Sequence, residues 1–223
     1  MTTVLSWSGG KDAAFALWEL RRVGDDPVEL LTTLGANDRS SMHGVRRDLY
    51  AAQAEALGVP IRFVELPEEP SNDEYEERMA AVVADYESRG VDRMAFADLF
   101  LDDVRAYREE RLADADVDAV FPLWGRDTDE QARAFIDAGF RATVVAVDGD
   151  ALDPSFAGRA FDADFLAALP DDVDPCGEHG AFHTFVHDGP VFASPVSVTA
   201  GDVVAREVGD TVVHYCDLRR AQD

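Results

Sequence analysis

Lysine is almost missing from this chain. Of its 20 basic residues one is lysine, Lys11, and the rest are arginine. Cysteine is nearly as scarce: Cys176 and Cys216 exclude a disulfide framework and read as reduced thiols, the usage of a cytoplasmic protein. No run approaches the roughly eighteen apolar residues that a membrane-crossing helix needs. The first apolar strand starts almost at Met1, so no signal peptide is expected. Positive charge is outnumbered, 20 basic against 45 acidic residues for a net charge of −25, and no basic stripe exists to track phosphates, which counts against nucleic acid as a partner. The acids are spread along the chain, a surface suited to strong salt where self-repulsion is screened, so we expect a halophilic source. What is present is a hydrophobic content of 47% in 223 residues, enough for one large α/β domain with a small appendage.

Through the first two thirds, β-rich apolar runs alternate with helical patterns. Strands are expected at 3–6, 28–34, 61–66, 93–97, 118–121 and 141–147, and helices at 11–23, 45–57, 71–89, 102–115 and 128–138. Ser71 followed by Glu74 predicts a capping box for the third helix. This alternation predicts a Rossmann-like α/β fold: a parallel sheet with helices on both faces and ligands beyond the carboxyl ends of the strands. After about residue 150 a short helix (162–169), an acid-, Pro- and Gly-rich loop and short strands at 182–187, 191–198, 203–208 and 211–215 predict a small β-rich element. The expected division is a nucleotide-binding domain over 1–150 and a substrate-binding element over 151–223.

The solitary lysine stands in Ser6-Trp7-Ser8-Gly9-Gly10-Lys11-Asp12-Ala13, at a strand-to-helix junction. A compact cation beside paired glycines pairs naturally with phosphate. Amides of Gly9, Gly10 and the helix start can surround an anion, and the hydroxyls of Ser6 and Ser8 add donors. The loop is not a Walker motif, because the positions that motif reserves for its first Gly and for Ser/Thr hold Leu5 and Asp12.

The stretch resembles the pyrophosphate loop of N-type ATP pyrophosphatases, written SGGxDS. Three further segments extend the likeness in order along the chain. These are Ser41-Met42-His43-Gly44-Val45, the run from Phe96-Ala97-Asp98 to Tyr107-Arg108, and Pro122-Leu123-Trp124-Gly125-Arg126-Asp127-Thr128. With Asp174-Pro175-Cys176-Gly177-Glu178-His179-Gly180-Ala181-Phe182-His183-Thr184-Phe185 they resemble the successive motifs of the diphthine–ammonia ligase family. The resemblance implies ATP and Mg²⁺ as cofactors and a carboxylate that attacks the α-phosphate, with pyrophosphate leaving. Ammonia then converts the acyl-adenylate to an amide and AMP. In that family the carboxylate belongs to a side chain of elongation factor 2. Two departures stand out. The family's Ser after the aspartate is Ala13, and the second glutamate of its Glu-Gly-Gly-Glu loop is Ala181, with His183 before Thr184. The latter is similar to a sister branch, Glu-Asn-Gly-Glu-Phe-His-Thr, linked to cobalamin salvage and hence to a small carboxylate. A non-catalytic ATP/AMP-binding regulatory module is the reading that Ala13 and Ala181 favour. A homodimer is reasonable by analogy, although no residue demands one.

The resemblance distributes roles. Lys11 stabilises the leaving pyrophosphate, and Asp12 holds Mg²⁺ or orients the loop. His43 and Gly44 are an ATP-pocket element or a helix cap. Asp98, with Asp102 and Asp103 beyond it, is magnesium-related or caps a helix. Trp124 and Gly125 border the adenine or acyl pocket, or Trp124 belongs to the core. Glu178 binds the ammonium or a cationic part of the acyl substrate, and His183, its pKa expected near neutrality, is a general base for the amine. Cys176, His179, His183 and His187 recur every three or four residues, but Pro175 and the glycines point to loop then strand, so metal ligands stay unassigned.

Overall fold

The computed structural model describes residues 1–40, 42–67 and 71–221; Ser41 of the second motif lies outside them. Strand β1 (Thr3–Ser6) passes through the glycine turn into helix α1 (Lys11–Arg22). Then follow β2 (Glu29–Leu34), α2 (Arg47–Leu57), β3 (Ile61–Glu65), α3 (Asn72–Ser88), β4 (Arg93–Ala95), α4 (Asp102–Leu112), β5 (Asp118–Val120) and α5 (Thr128–Asp137). All neighbouring strands pair in parallel, in the order β3-β2-β1-β4-β5. The order reverses at β1, so the crevice beyond β1 and β4 is the switch point where such sheets take ligands.

Alternation along the strands builds a core on each face of this sheet. Val4, Leu31 and Met94 pack with Val82 and Tyr86 of α3 and Leu112 of α4, while Leu5, Leu30 and Leu34 pack with α1 and α2. The Ser71 capping box forms as expected, Ser71 Oγ accepting from Glu74 N at 3.2 Å and Glu74 Oε2 accepting from Ser71 N at 3.0 Å.

Two expectations need correction. Residues 141–147 are not a sixth parallel strand: β6 (Arg141–Asp148) lies in a second, antiparallel sheet with β7 (Phe182–Asp188), β8 (Val198–Val208) and β9 (Thr211–Arg220), in the order β7-β6-β9-β8. The apolar run Val144–Val147 is buried in either arrangement, and its antiparallel partners come from 182–188 and 213–215, far along the chain. The second sheet thus draws one strand from the part assigned to the first domain. Residues 191–197 form no strand; this stretch leads irregularly into β8. Helix α6 (Ala163–Ala168) matches expectation.

The two sheets share one core. Helix α1 lies between them, with Lys11, Ala13, Ala14, Phe15, Ala16, Leu17 and Leu20 all buried. The small alanines let both sheets approach closely, and the Phe15 ring meets Phe140, just before β6, at 6.1 Å. A polar latch joins the sheets elsewhere. Asp217 of β9 accepts from Arg39 at 2.7 Å and Arg46 at 2.9 Å, on the segment that carries His43. Among the described residues no helix is long and apolar enough to cross a membrane.

Candidate functional site

A cleft of about 560 Å³ opens between the carboxyl ends of β1 and β4 and the loop leading into β7. Ser6, Ser8, Gly10, Lys11, Asp12 and Ala13 line it from the turn, Met42 and His43 from the segment after β2, and Asp98 from the loop after β4. Cys176–Gly180 and Phe182–Thr184 close the far side. Four sequence-distant motifs therefore converge on one cavity.

The turn is held from below. Gly9 has φ +73°, and a Cβ there would lie 2.7 Å from Tyr50 Cε1 and 2.8 Å from Gln53 Oε1, so only glycine fits. Gln53, fully buried on α2, accepts from Trp7 Nε1 at 2.9 Å and donates to the carbonyls of Gly9 at 3.0 Å and Val186 at 2.6 Å. Tyr50 donates to the Ser8 carbonyl at 3.0 Å and meets the Ser40 hydroxyl at 2.8 Å. Strand β7 grips the same turn, since Val186 N donates to the Gly9 carbonyl at 2.9 Å and Thr184 Oγ1 accepts from Lys11 N at 3.0 Å.

Lys11 is buried and faces Asp12, with Nζ–Oδ2 at 2.6 Å, and also donates to the Cys176 carbonyl. Burial works against its charge, but the Asp12 carboxylate, together with Cys176 and Glu178, offsets that and raises the lysine pKa above its ordinary value, so the ammonium stays charged. The other oxygen, Asp12 Oδ1, is buried with no hydrogen-bond partner among the described residues. A carboxylate oxygen left bare in a ligand cleft fits a magnesium ion, which takes hard oxygen ligands from one or two carboxylates. The cations Lys11 and Arg108 face Asp12, Asp98, Asp103 and Glu178 in the lining, so a polyphosphate needs a metal to neutralise it there.

Glu178 leans across the cleft, Oε2 accepting from Leu99 N at 3.2 Å. Burial, reinforced by repulsion from Asp12, pushes its carboxyl up to about 7. His183 does not sit near neutrality as expected: burial first, then the field of Lys11, lowers it to about 4. His43 stacks on it with ring centroids 4.4 Å apart and is lowered well below its ordinary value by burial and by His183. At pH 7 both imidazoles are neutral, and Glu178 titrates close to that pH.

The remaining expected residues divide. Asp98 lines the cleft in a bidentate pair with Arg108, at 2.6 and 3.2 Å, whose guanidinium lies 4.5 Å from the Phe96 ring centre. Gly44 stands behind the site: with φ +65° it packs on Tyr215, which a Cβ would meet at 2.6 Å. Trp124 and Gly125 are not among the lining residues; Trp124 packs on Phe121 and under Arg105. Asp102 begins α4 outside the cleft. Cys176 and His179 line the cleft with His183, whereas His187 is not in the lining. No group of three metal-ligating side chains forms among the described residues.

Four contributors escaped the sequence reading. Arg108 and Thr184 stood in noticed motifs without a role. Gln53 and Tyr50 carried a weak signal: with Leu49 and Leu57 they fall on the apolar side of α2, where a glutamine is out of place. A smaller recess of about 240 Å³ continues the cleft past Ser6, Ser8 and His43 to Thr32, Met79 and Met94.

No curated protein matches the chain. The family model of the diphthamide synthase N-terminal domain matches residues 1–113, and that of the diphthamide synthase C-terminal domain matches residues 127–223. The turn with β1–β4 falls in the first match, and β6, β7 and the loop bearing Glu178 fall in the second, so the cleft is built where the two meet. With both domain models matched in order and nearly the whole chain covered, this protein belongs to the diphthamide synthase family.

Proposed function

We propose that this protein is an ATP-dependent, AMP-forming amide ligase of the diphthine–ammonia ligase type. The observation that carries the reading is the facing arrangement in one cleft: a turn rich in amide and hydroxyl donors on one wall, and a carboxyl group titrating near neutrality on the other.

The triphosphate lies along the turn, where the start of α1 and the hydroxyls of Ser6 and Ser8 meet its outer phosphates and the paired Lys11 supplies fixed positive charge beneath. Adenosine extends into the recess beside Thr32 and Met94. Asp12, through its bare oxygen, and a second cleft carboxylate would hold Mg²⁺. That ion, when bound, supplies charge neutralisation to the phosphates. A substrate carboxylate attacks the α-phosphorus, the bond to the β-phosphate breaks, and pyrophosphate leaves against donors already in place. Ammonia then attacks the acyl carbon, its proton passes to the Glu178 carboxylate, and AMP departs with the mixed-anhydride oxygen. The neutral His43–His183 stack walls the acyl group and lies in Coulomb range of Lys11 without repelling it. His183 serves as a hydrogen-bonding wall in this scheme, and Glu178 as the base.

Met42, 61% exposed at the mouth, and Phe100 beside His179 leave apolar surface at the entrance, which favours a carboxylate carried on a protein, such as elongation factor 2, over a small free acid. The test is product analysis with ATP, Mg²⁺, ammonium and each type of carboxylate. AMP and pyrophosphate formed only when a carboxylate is present support the ligase. ADP, or nucleotide binding without turnover on any substrate, rejects it, the latter in favour of a regulatory module.

A further inference from the structure

The helix that opens the phosphate turn lacks its own cap. Gly10 is the N-cap of α1 and has no side chain with which to accept from the first amides. The missing acceptor comes from the other sheet: Thr184 Oγ1, on β7, takes the Lys11 amide at 3.0 Å, across 173 residues of sequence. Thr184 is 3% exposed, yet it lines the cleft, and among the described residues nothing accepts its own hydroxyl proton. A hydroxyl that accepts from the helix start must aim its proton away from it, and the open direction is the cavity. Beside it, a Cβ built on Gly10 would come within 3.5 Å of the same Oγ1, so the hydroxyl sits directly against the paired glycines.

The pyrophosphate loops that this turn resembles carry a serine where this chain has Ala13, and Ala13 is buried in α1 with no hydroxyl to offer. From these observations, and resting on the ligase reading above, we propose that Thr184 is a positioning and specificity residue for the triphosphate. Its hydroxyl accepts from the α1 amide and donates to an outer phosphate oxygen, so the second sheet supplies the donor that position 13 lacks. The turn then recognises the pyrophosphate end of the nucleotide only when β7 is in place, and Thr184 separates ATP from AMP by a bond made to the phosphates that AMP lacks.

The experiment compares the full-length parent with Thr184→Val, Thr184→Ala and Thr184→Ser, measuring by calorimetry the affinities for Mg²⁺-ATP, Mg²⁺-pyrophosphate and AMP. The expected result is about tenfold weaker ATP and pyrophosphate binding in the valine and alanine variants, AMP unchanged within twofold, and recovery with serine. Equal weakening of ATP and AMP would reduce Thr184 to a helix cap and overturn the inference, as would unchanged pyrophosphate affinity. Alanine leaves room where valine crowds, so a misfolded valine variant still leaves the question decided by the alanine one. A parent that binds neither ATP nor pyrophosphate would instead remove the ligase reading, and this inference with it.

Discussion

Glu178 and Gln53 are the two side chains whose chemistry is most exposed to test. Glu178 is raised to about 7 because burial and Asp12 both disfavour its charge, so it is protonated below that value and a base above it. In amide formation, rate should rise with pH through about 7 when free ammonia is held constant. Glu178→Gln should flatten that rise and lower the rate by about 10²–10⁴, with ATP affinity retained, as read from a pH–rate profile. Gln53 acts through structure. Replacing it with leucine strands the Trp7 indole N–H and takes one hydrogen bond from each of the Gly9 and Val186 carbonyls, which should cost about 3 kcal/mol of unfolding free energy in a urea titration and loosen the turn as well. The chain's only lysine did mark a turn that lines the cleft, but its environment was not readable. A lysine written in a glycine loop gives no sign that its ammonium will be paired with the next residue and a carbonyl 165 positions away. Nor does His183 announce its low pKa, which depends on how closely His43 and the surrounding core exclude water.

At the level of elements, position and type were legible because periodicity is local, and partnership was not because pairing is distant. Strands β1 to β5 and helices α1 to α5 fall within a few residues of where apolar spacing, Gly stops and the Ser71–Glu74 box put them. Strand β6 reads the same whether it ends a parallel sheet or starts an antiparallel one. Only the arrival of β7 and β9 decides, and their pairing residues lie some 35 to 70 positions later. The link between β9 and the segment after β2 was equally invisible, being made by arginines and an aspartate that look like ordinary surface charge. Burial alone would raise the Asp217 carboxyl, but hydrogen bonds from Arg39, Arg219 and Arg46 overcome it and depress its pKa. A depressed folded-state pKa adds stability above the unfolded carboxylate value of about 4, and that contribution is lost as pH falls further. Asp217→Asn should therefore lower unfolding free energy by about 2 kcal/mol at pH 7 and converge with the parent in acid, as measured by denaturant melts across pH.

For the whole molecule, charge is the dominant long-range term. A net charge of −25 on 223 residues repels itself at low ionic strength, and several ion pairs, such as Arg93–Asp25 and Arg62–Asp85, recover only part of that. We expect the melting temperature to climb steeply as KCl rises from low to molar concentration, and indifference to salt would remove the halophilic reading. The same sandwich that buries α1 also has a consequence for synthesis. Because the turn is gripped by residues 184 and 186, a nascent chain emerging from the ribosome carries the residues of the turn early and cannot finish assembling them until positions 184 and 186 have emerged. On the ligase reading proposed above, capture of ATP would then report that these late braces are in place, and a chain terminated before them would be blind to the nucleotide.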